Sequence, residues 1–231
     1  MNDEIEAISE VEILFSNIDL HGKVVIDVGC GNGKITRMLS NRCKYIYGID
    51  TPEIIEKTLT GESLINVQFK SGIGQELPFH DNSADVIIFF ASFHHVPDGE
   101  MVKAIRECYR VLKNSGQLCF LEPAPKENSY YELLRIADDE AEIQKRAYQI
   151  IKSSDSIGFN HLKEANYYLV RSYNDFENLI ENYVSEEEER SRILEGAKKL
   201  ITLKNLDIEK ARWKSFCRIN ILKKNQVINK R

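Results

Sequence analysis

Apolar positions along this chain follow two different periods. Short runs such as Val24-Val25-Ile26 and Val86-Ile87-Ile88 are continuous and β-branched, and between them apolar residues recur every three or four positions. The first pattern reads as buried strand and the second as amphipathic helix. It predicts strands over 23–28, 44–49, 65–69, 84–90 and 116–122, with helical segments between them. A helix from Gly99 to Lys113 carries Met101, Ile105, Cys108, Val111 and Leu112 on one face. Alternating strands and helices with right-handed crossovers give an α/β fold, a doubly wound parallel sheet that binds ligands beyond the carboxyl ends of its strands.

The flanking segments have a different texture. Ile5, Ile8, Val11, Glu12 and Phe15 predict an N-terminal helix. After Pro125 a long helix is predicted from Asn128 to Lys152, with Tyr131, Leu134, Ile136, Ile143, Ala147 and Ile150 as its apolar positions. It is either a lid over a substrate or an ordinary packed helix, since amphipathic stripes serve both. A strand over 166–172, helices Asn174–Tyr183 and Glu186–Leu203, and a strand Trp213–Leu222 complete the chain. The whole reads as one domain, 1–231: a covering helix within 1–20, a ligand-binding core over 21–123, a helical insertion over 124–165, and a C-terminal sheet half over 166–231.

Composition narrows the setting. The net charge is −5, and the densest cations sit at Lys198-Lys199, Lys223-Lys224 and Lys230-Arg231, which read as solvated faces rather than a nucleic-acid footprint. Five scattered cysteines without a Cys-x-x-Cys pair favour reduced thiols in a cytoplasm over disulfides or a zinc site, so no metal is expected. The acidic start Met1-Asn2-Asp3-Glu4 lacks a signal-peptide pattern. No apolar run approaches the ~20 residues that span a bilayer.

Chemistry concentrates in Val24-Val25-Ile26-Asp27-Val28-Gly29-Cys30-Gly31-Asn32-Gly33-Lys34-Ile35. A strand ends in a carboxylate, and three glycines follow at alternate positions, where backbone needs positive φ or a ligand comes close. The pattern is Asp-x-Gly-x-Gly-x-Gly; the dinucleotide fingerprint would need glycine where Lys34 stands, and no Gly-Lys-Ser/Thr closes a P-loop. A second strand, Lys44 to Ile49, ends at Asp50, 21 residues after Gly29. An acid at that spacing accepts hydrogen bonds from ribose hydroxyls. The bland alternatives are a glycine-rich turn without a ligand, and Asp50 as a cap for the helix beginning at Pro52.

With these residues the chain resembles the class I S-adenosylmethionine-dependent methyltransferases, in particular the group with a Leu-Pro-Phe segment before the fourth strand. The resemblance rests on Val25–Gly33, Tyr47-Gly48-Ile49-Asp50, Glu76-Leu77-Pro78-Phe79 through Asp85-Val86-Ile87, Ser92-Phe93-His94-His95-Val96, Val111–Leu118 and Glu122-Pro123. It covers residues 22–123 strongly. It implies a Rossmann-like sheet of seven strands with the last antiparallel, and S-adenosylmethionine as cofactor. It also implies that Asp27, Gly29, Cys30, Gly31 and Gly33 surround the methionine end, and that Asp50 and Thr51 lie at the ribose. Ile73, Gly74 and Gln75 would meet the adenine, Ile73 standing where such proteins often place an aspartate. The Ala91 carbonyl would accept from the cofactor amino group.

A sulfonium methyl needs alignment with its acceptor, and an oxygen or amine acceptor also needs a base. His94 and His95 are the base candidates because an unperturbed imidazole titrates near ~6.5. In such proteins a His-His pair here also serves loop structure. Tyr130, with Tyr131, is a candidate for orienting the acceptor, with packing as the alternative; Cys30 reads as packing. The expected function is methyl transfer to a small molecule. The alternatives are a peptide or tRNA acceptor, and a cofactor-binding regulatory protein without transfer activity.

Overall fold

The computed structural model describes residues 5–7, 9–59, 63–126, 129–137 and 139–225. Expectations on Ile8, Asn128 and Lys230-Arg231 lie outside them. Among the described residues, eight strands form one sheet: β1 (Ile5–Ala7), β2 (Val24–Val28), β3 (Tyr45–Asp50), β4 (Val67–Ser71), β5 (Ala84–Phe90), β6 (Leu112–Pro123), β7 (Phe159–Ser172) and β8 (Arg212–Lys224). Their order is β1-β7-β8-β6-β5-β2-β3-β4. Strands β2 to β6 are mutually parallel, and β8 runs antiparallel between β6 and β7. The helices are α1 (Glu10–Phe15), α2 (Lys34–Leu39), α3 (Pro52–Thr58), α4 (Met101–Val111), α5 (Ser129–Ala137), α6 (Ala141–Lys152), α7 (Tyr173–Tyr183) and α8 (Glu187–Leu203).

The central strands are apolar on both sides because both sides are covered. Ile26, Val28, Ile87 and Phe89 join one core with Met101, Ile105 and Cys108 of α4 and Ala147 and Ile151 of α6. Their neighbours Val25, Val86, Ile88 and Phe90 point the other way, into a second core with Val11, Ile13 and Leu14 of α1 and Leu39 of α2. A third cluster joins Tyr130 and Leu133 of α5 to Phe176, Ile193, Ala197 and Trp213. From β2 the chain winds through β3 to β4, then returns to lay β5 on the other side of β2. The crevice above β2 and β5 is therefore the switch point where such sheets bind ligands.

Four expectations need correction. The sheet has eight strands rather than seven, because Ile5–Ala7 pairs in parallel with Tyr167–Leu169 at the edge. The N-terminal helix is correspondingly shorter. Ser9 caps it by accepting from Glu12 N at 3.4 Å, and its Val11, Ile13 and Leu14 pack in the second core. The long helix predicted from 128 to 152 is two helices. Asp139 ends the first by ion-pairing with Arg135 and accepting from Ala141 N, the backbone competition that disfavours Asp inside helices. Strand β7 begins at Phe159, seven residues earlier than the pattern at 166 suggested, and its first half is largely exposed.

Candidate functional site

The loop after β2 is held in a shape only glycine accepts readily. Gly29, Gly31 and Gly33 have φ of +76°, +53° and +72°. A Cβ on Gly29 would lie 2.5 Å from the Ser92 Cβ, whereas one on Gly31 would meet nothing within 4 Å. The first glycine lets two strand ends approach, and the second opens onto free space. The loop is tied from outside: Gly29 N and Cys30 N donate to the Ile49 carbonyl, Thr58 Oγ1 donates to the Gly31 carbonyl at 2.7 Å, and Arg37 donates to the Asn32 carbonyl at 2.9 Å. Helix α2 spans only six residues, and the amide of its first residue, Lys34, already bonds Asn32 Oδ1.

Two carboxylates flank this loop. Asp50, at the end of β3, accepts from Gly31 N and Thr51 N, each at 2.8 Å and each on a different oxygen. Lone pairs remain on both oxygens for vicinal hydroxyls. Asp50 makes no side-chain cap to α3; Thr51 holds the N-cap position. Asp27 is 1% exposed and accepts from Thr36 Oγ1 at 2.6 Å through Oδ2. Its Oδ1 is buried with no partner. Burial raises its pKa to about 7; the Thr36 bond opposes the shift, and the Asp50 charge adds to it. A buried carboxylate oxygen without a donor costs free energy unless a ligand supplies one. The open side of Gly31, the orphaned Oδ1 and the accepting Asp50 thus fit an adenosyl amino acid in donor, acceptor and space.

The remaining candidates lie in the turns that follow β2, β4 and β5. Ile73 is 40% exposed, and its carbonyl accepts from Glu76 N in the turn that presents Gly74 and Gln75. The Leu-Pro-Phe segment fixes that turn: Leu77 N donates to Glu107, and Arg110 donates to the Leu77 and Phe79 carbonyls. Ala91 carries φ +46°, a strained value for a residue with a Cβ, immediately after β5. Cys30 is buried, and burial pushes its thiol far above the ordinary range. Its Sγ lies where a Cβ on Gly48 would touch it at 3.0 Å, so it packs and only its backbone lines the loop.

The two proposed catalytic side chains do not suit those roles. His94 is 2% exposed with both ring nitrogens engaged: Nδ1 bonds Glu122 Oε2, and Nε2 lies 3.5 Å from Glu140 Oε2. Burial alone would lower its pKa, but the two carboxylates outweigh burial and raise it to about 9. A base must accept a proton from its substrate, and this imidazole already carries one on each nitrogen. Tyr130 sits 6% exposed in the third cluster, and burial pushes its hydroxyl up to about 12. It is a core residue whose partners, α7, α8 and Trp213, the local sequence does not reveal.

Sequence reasoning missed two acids. Glu122 at the end of β6 also receives Ser92 N and Phe93 N through Oε1, so it anchors the whole turn after β5. Its role was latent in the parallel pairing of β5 with β6. Glu140 reaches the turn from the insertion, for which no local signal exists. Beside it, a cavity of about 460 Å³ opens between Pro125, Lys126, Tyr131, Arg135, Asp139 and Lys145.

A family profile described as a methyltransferase domain matches residues 26–120. An uncharacterized methyltransferase of Anoxybacillus flavithermus is 30% identical over 122 residues, 53% of this chain and 57% of that protein. A ubiquinone biosynthesis O-methyltransferase of Pseudomonas fluorescens is 33% identical over 110 residues, 45% of each. The chain thus spans about half the length of the curated relatives it matches. Among solved structures, a SAM-dependent methyltransferase from Methanosarcina mazei superposes with TM-score 0.56 at 18% identity, over 92% of this chain and 97% of that one. The [4+2]-cyclase SpnF superposes with TM-score 0.58 at 20% identity, over 89% and 76%. At such identities the likeness shows the fold, and one fold hosts several chemistries.

Proposed function

We propose that this chain, whose residues 26–120 match a profile described as a methyltransferase domain, is a class I S-adenosylmethionine-dependent methyltransferase that transfers the methyl group of that cofactor to a small-molecule acceptor. The observation that carries the reading is the pair Asp27 and Asp50, on adjacent strands at either side of a left-handed glycine loop. When bound, the cofactor supplies a methyl group activated on a sulfonium. The chain's own work is alignment, which contributes roughly 7–11 kcal/mol at its limit. Asp50 holds the ribose hydroxyls, and Thr51 N fixes its carboxylate. Asp27 receives the amino group at the free Oδ1 while Thr36 holds the other oxygen. The carbonyl of Ala91 accepts from the same amino group, and Gly31 leaves room for the methionine chain. Ile73 covers one face of the adenine, and Gly74 and Gln75 meet its edge. No role as a base is assigned to His94.

The acceptor's seat is the cavity beside the insertion. Its about 460 Å³ lies in the range of small-molecule pockets, and it opens just past the end of β6, on the side of the sheet where the glycine loop lies. Curated relatives named as ubiquinone biosynthesis O-methyltransferases favour the same acceptor class. The test is release of S-adenosylhomocysteine from S-adenosylmethionine in the presence of low-molecular-weight hydroxyl and carboxylate compounds. Acceptor-dependent release supports the proposal. Transfer confined to a peptide or tRNA fraction replaces it with the macromolecular alternative, and cofactor binding without any transfer leaves a regulatory protein.

A further inference from the structure

Three potential metal ligands converge at the turn after β5. The turn supplies His94 and His95, and the N-cap of α6 supplies Glu140. His94 Nε2 lies 3.5 Å from one oxygen of Glu140 and His95 Nδ1 lies 3.5 Å from the other, and one donor atom from each residue falls within 4.8 Å of the rest. Two donors each about 2.1 Å from a tetrahedral ion stand about 3.4 Å apart. The separations therefore suit an ion that takes the place of the proton on His94 Nε2, after small side-chain rotations. We propose that His94, His95 and Glu140 form a binding site for a divalent transition-metal ion.

The surroundings support it. Metal-bound imidazoles nearly always give their second nitrogen to a carboxylate, which fixes the ring. Glu122 holds His94 Nδ1 in that manner, and is itself fixed by the amides of Ser92 and Phe93. Glu140 is steadied by Gln144 Nε2 at 3.2 Å. Two imidazoles and one carboxylate leave coordination positions open, the donor set that favours iron, cobalt, nickel or zinc over magnesium. The expectation of no metal came from cysteine spacing; these ligands come from two segments that spacing does not connect. An ion here would also pin α6 to the core beside the cavity. Its use rests on the transferase reading: an open position would take an oxygen of the acceptor.

The experiment is titration of chelator-treated protein with Co²⁺, followed by visible absorption, and with Zn²⁺ by calorimetry. The expected result is one ion per chain, with affinity reduced at least tenfold by His95→Ala and by Glu140→Gln. Because the His95 side chain is 61% exposed, its variant should fold. Glu122→Gln should weaken binding through orientation alone, by roughly 10–100-fold. S-Adenosylhomocysteine affinity should be unchanged in His95→Ala. If wild-type protein binds neither ion, or His95→Ala binds both equally well, the site is refuted. If the metal binds but S-adenosylhomocysteine does not, the cofactor reading fails and the metal site stands.

Discussion

Asp27 ties cofactor binding to pH. Its carboxyl is buried, has one orphaned oxygen and has a pKa near 7, yet it must be ionised to hold a cationic amino group. A group of pKa about 7 is ~90% protonated at pH 6 and ~90% ionised at pH 8. The dissociation constant for S-adenosylhomocysteine should therefore fall about tenfold across that range, ~1.4 kcal/mol. Calorimetry at closely spaced pH values measures it, with adenosine as the control ligand. Adenosine lacks the amino acid and should bind with the same affinity throughout. Asp27→Asn should weaken S-adenosylhomocysteine and flatten its profile. The same ionisation works against folding. A carboxyl whose folded pKa is raised contributes its stability below the unfolded value and loses it as pH climbs from about 4 to about 7, a ceiling on the order of 4 kcal/mol. Asp27→Asn should accordingly be more stable than wild type at pH 8 by roughly 1–3 kcal/mol. A wild-type affinity that is flat between pH 6 and 8, or that tracks adenosine, refutes the reasoning.

Other substitutions separate the site from its scaffold. Asp50→Ala removes the acceptor for both hydroxyls and should weaken S-adenosylhomocysteine at least tenfold, about 1.4 kcal/mol or more, in a titration of folded protein; unchanged affinity defeats the ribose assignment. Gly29→Ala combines positive φ with a 2.5 Å clash against Ser92 and should lower urea stability by about 2–4 kcal/mol, while Gly31→Ala faces open space and should cost only about 1–2. The reverse order would show that the loop is held differently. Tyr130→Phe should leave cofactor affinity and turnover within twofold of wild type, because the ring packs in a core cluster; a large loss of turnover would restore its catalytic candidacy.

What the sequence made legible was what is local. Asp27, the glycines and Asp50 lie within two consecutive strand–loop units, so spacing alone brings them together. The edge strand at Ile5–Ala7 was read as helix because three residues carry no period of their own and take their register from Tyr167–Leu169, far along the chain. Tyr130 looked available until α7 and α8 supplied the apolar surface that buries it. His94 looked like a base because its two carboxylate partners lie 28 and 46 residues downstream, on β6 and at the start of α6. Charge neighbours decide a titrating residue's chemistry, and only the tertiary fold supplies them.

The most direct measurement is a crystal structure of the chain with S-adenosylhomocysteine. The account predicts both ribose hydroxyls within hydrogen-bond distance of the Asp50 carboxylate and the amino group on Asp27 Oδ1, above the open side of Gly31. A ligand seated away from the ends of β2 and β3, or a soaked crystal with water in that crevice, would contradict it.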